Sequence, residues 1–149
     1  MTEIEEYYRL SNNYADRLRW GGYSAPAFCN ARWKLAIIVP YRDRYPDLCA
    51  LLYNLHAFLM RQRQEYQVWV VEQTPGGVFN KGKLMNAAFL FAQQNSSINF
   101  TCFIFHDVDH IPIDIRNLYQ CDERYPLHMV TSSLRWNWSK KMKIYLVCW

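Results

Sequence analysis

The chain has 149 residues, of which 51% are apolar and 17% aromatic; this suffices for one domain with a substantial core, falls short of two, and excludes a disordered segment. The net charge of +4 is spread thinly, with small clusters at Arg42/Arg44, Arg61/Arg63 and Lys140/Lys141/Lys143, so the excess reads as solvated surface rather than a nucleic-acid footprint. No apolar run reaches the roughly 18 residues of a membrane span, and Met1-Thr-Glu-Ile-Glu-Glu6 lacks the basic and apolar regions of a signal peptide.

Residues 1–20 read as an arm or helix, with Ile4, Tyr7 and Tyr8 near helical spacing. Gly21-Gly22-Tyr23-Ser24-Ala25-Pro26 supplies turn chemistry and a boundary before the core. Leu35-Ala-Ile-Ile-Val39 is a continuous β-rich apolar run, expected as a strand buried on both faces of a parallel sheet and stopped by Pro40. Arg42 and Arg44 follow it in Tyr41-Arg-Asp-Arg-Tyr-Pro46. Guanidinium forks after a buried strand suit phosphate or carboxylate oxygens.

Pro46 and Asp47 suit a first helical turn, after which Leu48, Leu51, Leu52, Leu55 and Leu59 share one face. His56 lies within this helix without a second ligand at a helical offset, so it reads as a surface or packing residue. Tyr66-Gln-Val-Trp-Val-Val71 is expected as the second strand, ending before the Thr74-Pro-Gly-Gly77 turn. A second helix opens at Phe79-Asn-Lys-Gly-Lys-Leu84, with Asn80 as N-cap and Leu84, Ala87, Ala88 and Phe91 on its apolar face. Lys81 and Lys83 stand at the positive end of that helix, an arrangement that makes sense where an anion binds.

Thr101 to Phe105 reads as a short buried strand leading into His106-Asp-Val-Asp-His-Ile-Pro112. Asp-x-Asp alone is a weak motif, since an acid in a loop often only caps a turn. Here Arg42, Arg44, Lys81, Asp107 and Asp109 all fall at the carboxyl ends of strands in a repeating strand-helix order, where doubly wound sheets bind ligands. Basic groups beside a cation-holding acid pair describe a nucleotide-diphosphate site.

Cys29, Cys49, Cys102, Cys121 and Cys148 contain no CxxC pair, which argues against a zinc cluster, and their odd number leaves at least one unpaired within the chain. Free thiols would fit a cytosolic protein and disulfides a lumenal one. Three glycosylation sequons begin at Asn95, Asn99 and Asn137, and they matter only in a secretory lumen.

In ordered blocks the chain resembles the β-1,4-galactosyltransferases and their N-acetylgalactosaminyl relatives, glycosyltransferase family 7. The blocks are Gly21 to Cys29, Leu35 to Arg44, Leu52 to His56, Phe79 to Asn86, and Phe103 to Pro112. The resemblance implies a GT-A-like (Rossmann-like) α/β fold with a mostly parallel sheet flanked by helices, incomplete at the C-terminal side. It further implies that residues 21–139 form a nucleotide-sugar-binding domain and leaves 140–149 as an unmatched tail.

The implied activity is inverting transfer of galactose or N-acetylgalactosamine from a UDP-sugar, with Mn2+, in β-1,4 linkage to a glycan acceptor in the Golgi lumen. By position, Pro40, Tyr41, Arg42, Arg44, Phe79, Lys81, Val108 and Arg135 would meet the nucleotide, Asp107 the donor sugar, and Asp109 the manganese. The resemblance also pairs Cys102 with Cys121, and Cys29 with a cysteine upstream of this chain. The family's Trp-Gly-Trp-Gly-Gly-Glu-Asp-Asp segment, which supplies the catalytic base, does not occur in these residues. A non-catalytic fragment or UDP-sugar-binding module is therefore the alternative expectation.

Overall fold

Three apolar segments that alternate between two sheet faces build the centre of the molecule. In the computed structural model, which describes residues 16–127, 129 and 146–147, the elements in chain order begin with β1 (Tyr23–Ser24), β2 (Lys34–Tyr41) and α1 (Tyr45–Arg61). They continue with β3 (Glu65–Glu72), α2 (Lys81–Asn95), β4 (Cys102–Phe105) and β5 (Leu146–Val147). The sheet order is β1-β3-β2-β4-β5, with the three central strands parallel and the two edge pairings antiparallel. The expected parallel α/β architecture is therefore present. The arm expected at the N-terminus falls mainly on residues outside those described, as does Arg135.

β2 is the middle strand, with Ile38 opposite Trp69 on one side and Phe105 on the other. Alternate side chains sort into two layers. Leu35, Ile37 and Val39 join Tyr66, Val68, Cys102 and Ile104 beneath α1, which contributes Leu51, Leu55, Phe58 and Leu59. Ala36 and Ile38 join Phe103 and Phe105 beneath α2. Each fully buried leucine contributes about 2 kcal/mol of transfer free energy, so the α1 layer is the firmer of the two.

Pro40 does not stop β2, contrary to the sequence expectation, because the strand runs on through Tyr41. The Ile38 carbonyl accepts from His106 N–H on the β4 side (2.8 Å), and β4 pairs with β2 only as far as Phe105. Pro40 has the same orientation as Ile38 and lies past that last pair, where no ladder partner needs its missing N–H. On the other side Tyr41 carbonyl accepts from Gln73 N–H (3.1 Å), which keeps the strand intact.

Helix α2 also turns a different face inward from the one expected. Its core stripe is Met85, Ala88, Phe89 and Ala92, while Leu90 and Phe91 remain more than half exposed. The two stripes share Ala88. The small side chains at 88 and 92 let the helix approach the sheet closely, so packing overrides a weakly amphipathic pattern.

His56 lies on α1 as a packing residue, buried against Tyr66, with Nδ1 hydrogen-bonded to the Tyr66 hydroxyl (2.9 Å). Burial lowers its pKa to about 4. The folded protein thus binds a proton less readily than the unfolded chain, whose histidine titrates near 6.5. The stability contributed by neutral His56 is fully present above about pH 6.5 and is lost as pH falls towards 4. Between pH 7 and 5 the loss is about 2 kcal/mol from this residue. Denaturant titrations at the two pH values should show it, with a shallower dependence in a His56→Gln variant.

Candidate functional site

The carboxyl ends of β2, β3 and β4 carry the polar residues. After β2, Asp43 adopts a left-handed conformation (φ 51°), tolerated by aspartate, and this kink separates Arg42 from Arg44. Arg44 donates from Nε to Asp47 Oδ2 (2.8 Å) and from Nη1 to Asp109 Oδ2 (3.0 Å). Arg42 donates to the Gly77 carbonyl (3.1 Å), and its guanidinium lies over the Phe79 ring at 5.2 Å from the centroid. The loops after β2 and β3 are joined in this way.

Gln73 organises the second of these loops. Its amide donates to Val78 carbonyl (3.1 Å) and accepts from Asn80 N–H (2.7 Å), closing the turn through Gly76 and Gly77. Both glycines have positive φ, 99° and 81°, which side-chain-bearing residues rarely adopt. Asn80 then caps α2 by accepting from Lys83 N–H (3.0 Å), as its position predicts. Lys81, in the first helical turn, forms an ion pair with Asp107.

β4 ends at Phe105, and a turn follows in which His110 N–H donates to Asp107 carbonyl (3.3 Å). The turn sends Val108 into the core while both carboxylates stay at the surface edge, their side chains 22% and 23% exposed. Burial alone would raise the Asp109 carboxyl, but the hydrogen bond and charge of Arg44 outweigh it and hold its pKa below the usual value. The same bond raises Arg44.

His106 anchors the root of this turn. Its Nδ1 faces Asp107 carbonyl (2.8 Å) and its Nε2 the Tyr119 hydroxyl (2.8 Å). A carbonyl can only accept, so Nδ1 carries the proton and Nε2 accepts from tyrosine. Burial keeps this histidine neutral, with a pKa of about 4, and pushes the Tyr119 phenol upward. The loop beyond is held by Gln62, at the end of α1, which donates to the carbonyls of Ile115 (3.1 Å) and Asn117 (2.9 Å) and accepts from Tyr119 N–H (3.0 Å). The Cys102–Cys121 disulfide, with Cα atoms 5.7 Å apart, ties the far end of the loop back to the start of β4. Cys29 is exposed and unbonded.

Asp107, Asp109 and His110 bring one ligand atom each to within 4.8 Å of one another. The His110 Nδ1 is buried and has no hydrogen-bond partner, although it lies 3.3 Å from Asp109 Oδ1 and 3.6 Å from Asp107 Oδ2. Two carboxylates and an orphaned imidazole nitrogen are a donor set that fits a divalent cation. Strand order in the sequence brought Arg42, Arg44, Lys81, Asp107 and Asp109 to one edge, the family resemblance added Phe79, and all six lie there. Sequence reasoning overlooked His110, Gln73 and Gln62. Only His110 left a visible signal, as a metal-binding residue type directly after the acid pair. A cavity of about 380 Å3 lined by Arg32, Trp33 and the segment 120–124 lies instead at the opposite, amino-terminal end of β2.

Residues 2–122 match the family described as the N-terminal region of glycosyl transferase group 7. The chain is 45% identical over 122 residues to a β-N-acetyl-D-glucosaminide β-1,4-N-acetylglucosaminyl-transferase of Lymnaea stagnalis, covering 82% of this chain and 24% of that protein. It is 44% identical over 109 residues to human β-1,4-galactosyltransferase 4, covering 73% and 31% respectively. A Drosophila β-1,4-galactosyltransferase 7 variant, solved with manganese, UDP-Gal and xylobiose, superposes with a TM-score of 0.66 at 29% identity, covering 78% of this chain and 49% of the other. The chain thus spans about a quarter to a third of the length of these curated relatives. The family match over most of the chain, the parallel sheet and the acid pair at its carboxyl edge agree, and the chain belongs to the group 7 glycosyltransferases, the family of the β-1,4-galactosyltransferases.

Proposed function

We propose that this chain holds a UDP-sugar and Mn2+ at the carboxyl edge of its sheet. The whole protein would then transfer galactose or N-acetylgalactosamine, with inversion, in β-1,4 linkage to a glycan acceptor. The observation that carries this reading is the pairing of Arg44 with Asp109 and of Lys81 with Asp107 at the ends of β2, β3 and β4, with Arg42 on the adjoining loop.

Each residue has a chemical part in it. Arg42, Arg44 and Lys81 offset the charge of a diphosphate, their present carboxylate and carbonyl partners being exchangeable for phosphate oxygens. Phe79, with Arg42 over its ring, offers an aromatic face for a base, and Pro40 and Tyr41 line the same strand end. Val108 has its side chain in the core, so its contact with nucleotide falls to its backbone. Asp107 faces the donor sugar, and Asp109 is a cation ligand. Arg135 is assigned a place beside the donor phosphates. When bound, the cation supplies a Lewis acid that stabilises the departing diphosphate. Deprotonation of the acceptor hydroxyl belongs to the whole protein. A Golgi lumen, which is oxidising, suits the Cys102–Cys121 disulfide.

Calorimetric titration of the chain with UDP tests this directly. Affinity is expected to rise at least about tenfold when Mn2+ is present, because cation and nucleotide each screen the charge that repels the other. Absence of binding at millimolar UDP with Mn2+ would overturn the reading.

A further inference from the structure

The geometry around the acid pair is lopsided. Asp107 directs Oδ1 to Lys81 and turns Oδ2 towards His110; Asp109 directs Oδ2 to Arg44 and turns Oδ1 towards the same imidazole. The oxygens that face inward therefore converge on His110 Nδ1, at 3.6 and 3.3 Å. Neither contact makes a hydrogen bond, and the nitrogen is buried with both carboxylates close by and no hydrogen-bond partner. A buried polar atom left without a hydrogen bond is destabilising, so its place beside two carboxylates asks for a ligand. The turn makes the convergence compulsory, because the His110 N–H to Asp107 carbonyl bond folds residue 110 back over residue 107.

We propose that His110 Nδ1 is a protein ligand to the divalent cation held by this acid pair, and that it sets the metal preference. The inference rests on the cation site put forward above. Carboxylate oxygens alone accept magnesium as readily as manganese, whereas an imidazole nitrogen favours manganese and later transition ions over magnesium. His56 and His106 are not alternatives, since both are buried in hydrogen bonds to tyrosines.

The test uses the chain with UDP and Mn2+, alongside the variants His110→Ala and Asp109→Asn. Electron spin echo measurements on bound Mn2+ should show nitrogen modulation from imidazole in the parent and none in His110→Ala. Competition with Mg2+ should show the manganese-to-magnesium affinity ratio falling about tenfold in that variant, the low end of what a metal-site partner contributes. A parent protein that binds Mn2+ without nitrogen modulation, or an unchanged ratio in His110→Ala, would overturn the role of His110 while leaving the acid-pair site standing. If the parent binds no Mn2+ with UDP, both the site and the role of His110 fall. A His110→Asn variant, of similar polarity but without the ring, should behave as His110→Ala; parent-like behaviour there would show that His110 acts by packing and overturn the inference.

Discussion

Replacing Asp109 by Asn is expected to lower Mn2+ affinity in the presence of UDP by about 100-fold or more. Loss of a residue that merely orients a ligand weakens a metal site by about 10–100-fold, and loss of a charged ligand should exceed that. The fold should tolerate the change. The ion pair between Arg44 and Asp109 is partly exposed, 46% and 23% by side chain, and such pairs contribute about 0–1 kcal/mol. Arg44 also keeps its second partner, Asp47. Unfolding free energies within about 1 kcal/mol of the parent, from denaturant titration alongside the binding loss, would separate a site effect from unfolding. A variant that bound manganese as the parent does would remove Asp109 from the site.

Much of this arrangement was legible in the residues because it follows from strand order. Long apolar runs at Leu35–Val39 and Tyr66–Val71 can only be central strands, and in a parallel sheet every loop that follows a strand opens on the same edge. Arg42, Lys81 and Asp109 could therefore be brought together without knowing a single distance. What escaped was set by tertiary geometry. Pro40 read as a stop because proline lacks a donor, but the missing donor matters only where a neighbouring strand would use it, and β4 has ended there. The core face of α2 escaped because two overlapping stripes share Ala88 and only packing chooses between them. Gln62 and Gln73 were unreadable, since a glutamine that bonds to backbone groups in loops, 53 to 57 residues away for Gln62, looks like any other surface amide.

Loss of the Cys102–Cys121 disulfide should have the largest effect on stability. The bridge closes a segment with a sequence separation of 19, for which chain-entropy arguments give about 3 kcal/mol. A Cys102→Ala/Cys121→Ala variant is therefore expected to unfold at lower denaturant by that amount, and treatment of the parent with reductant should reproduce the shift. Both sulfurs sit in the layer under α1, so part of the loss will come from packing. Manganese affinity should change much less, by under about tenfold. Asp107 and Asp109 lie within four residues of the end of β4, and their turn keeps its own anchors in the His106 bonds to Asp107 carbonyl and Tyr119. Equal losses of stability and binding would mean that the bridge, and not His106, positions the turn.

On the proposed function, nucleotide and cation meet at the carboxyl edge of this sheet. Paramagnetic broadening by Mn2+ in an amide-resolved NMR spectrum, recorded with UDP present, tests it most directly. Signals from Arg42, Arg44, Lys81 and residues 107–110 should broaden first, while Trp33 and Cys121, at the opposite end of β2, stay sharp. Broadening centred on Trp33 and Cys121, with the Asp107–His110 turn unaffected, would contradict it.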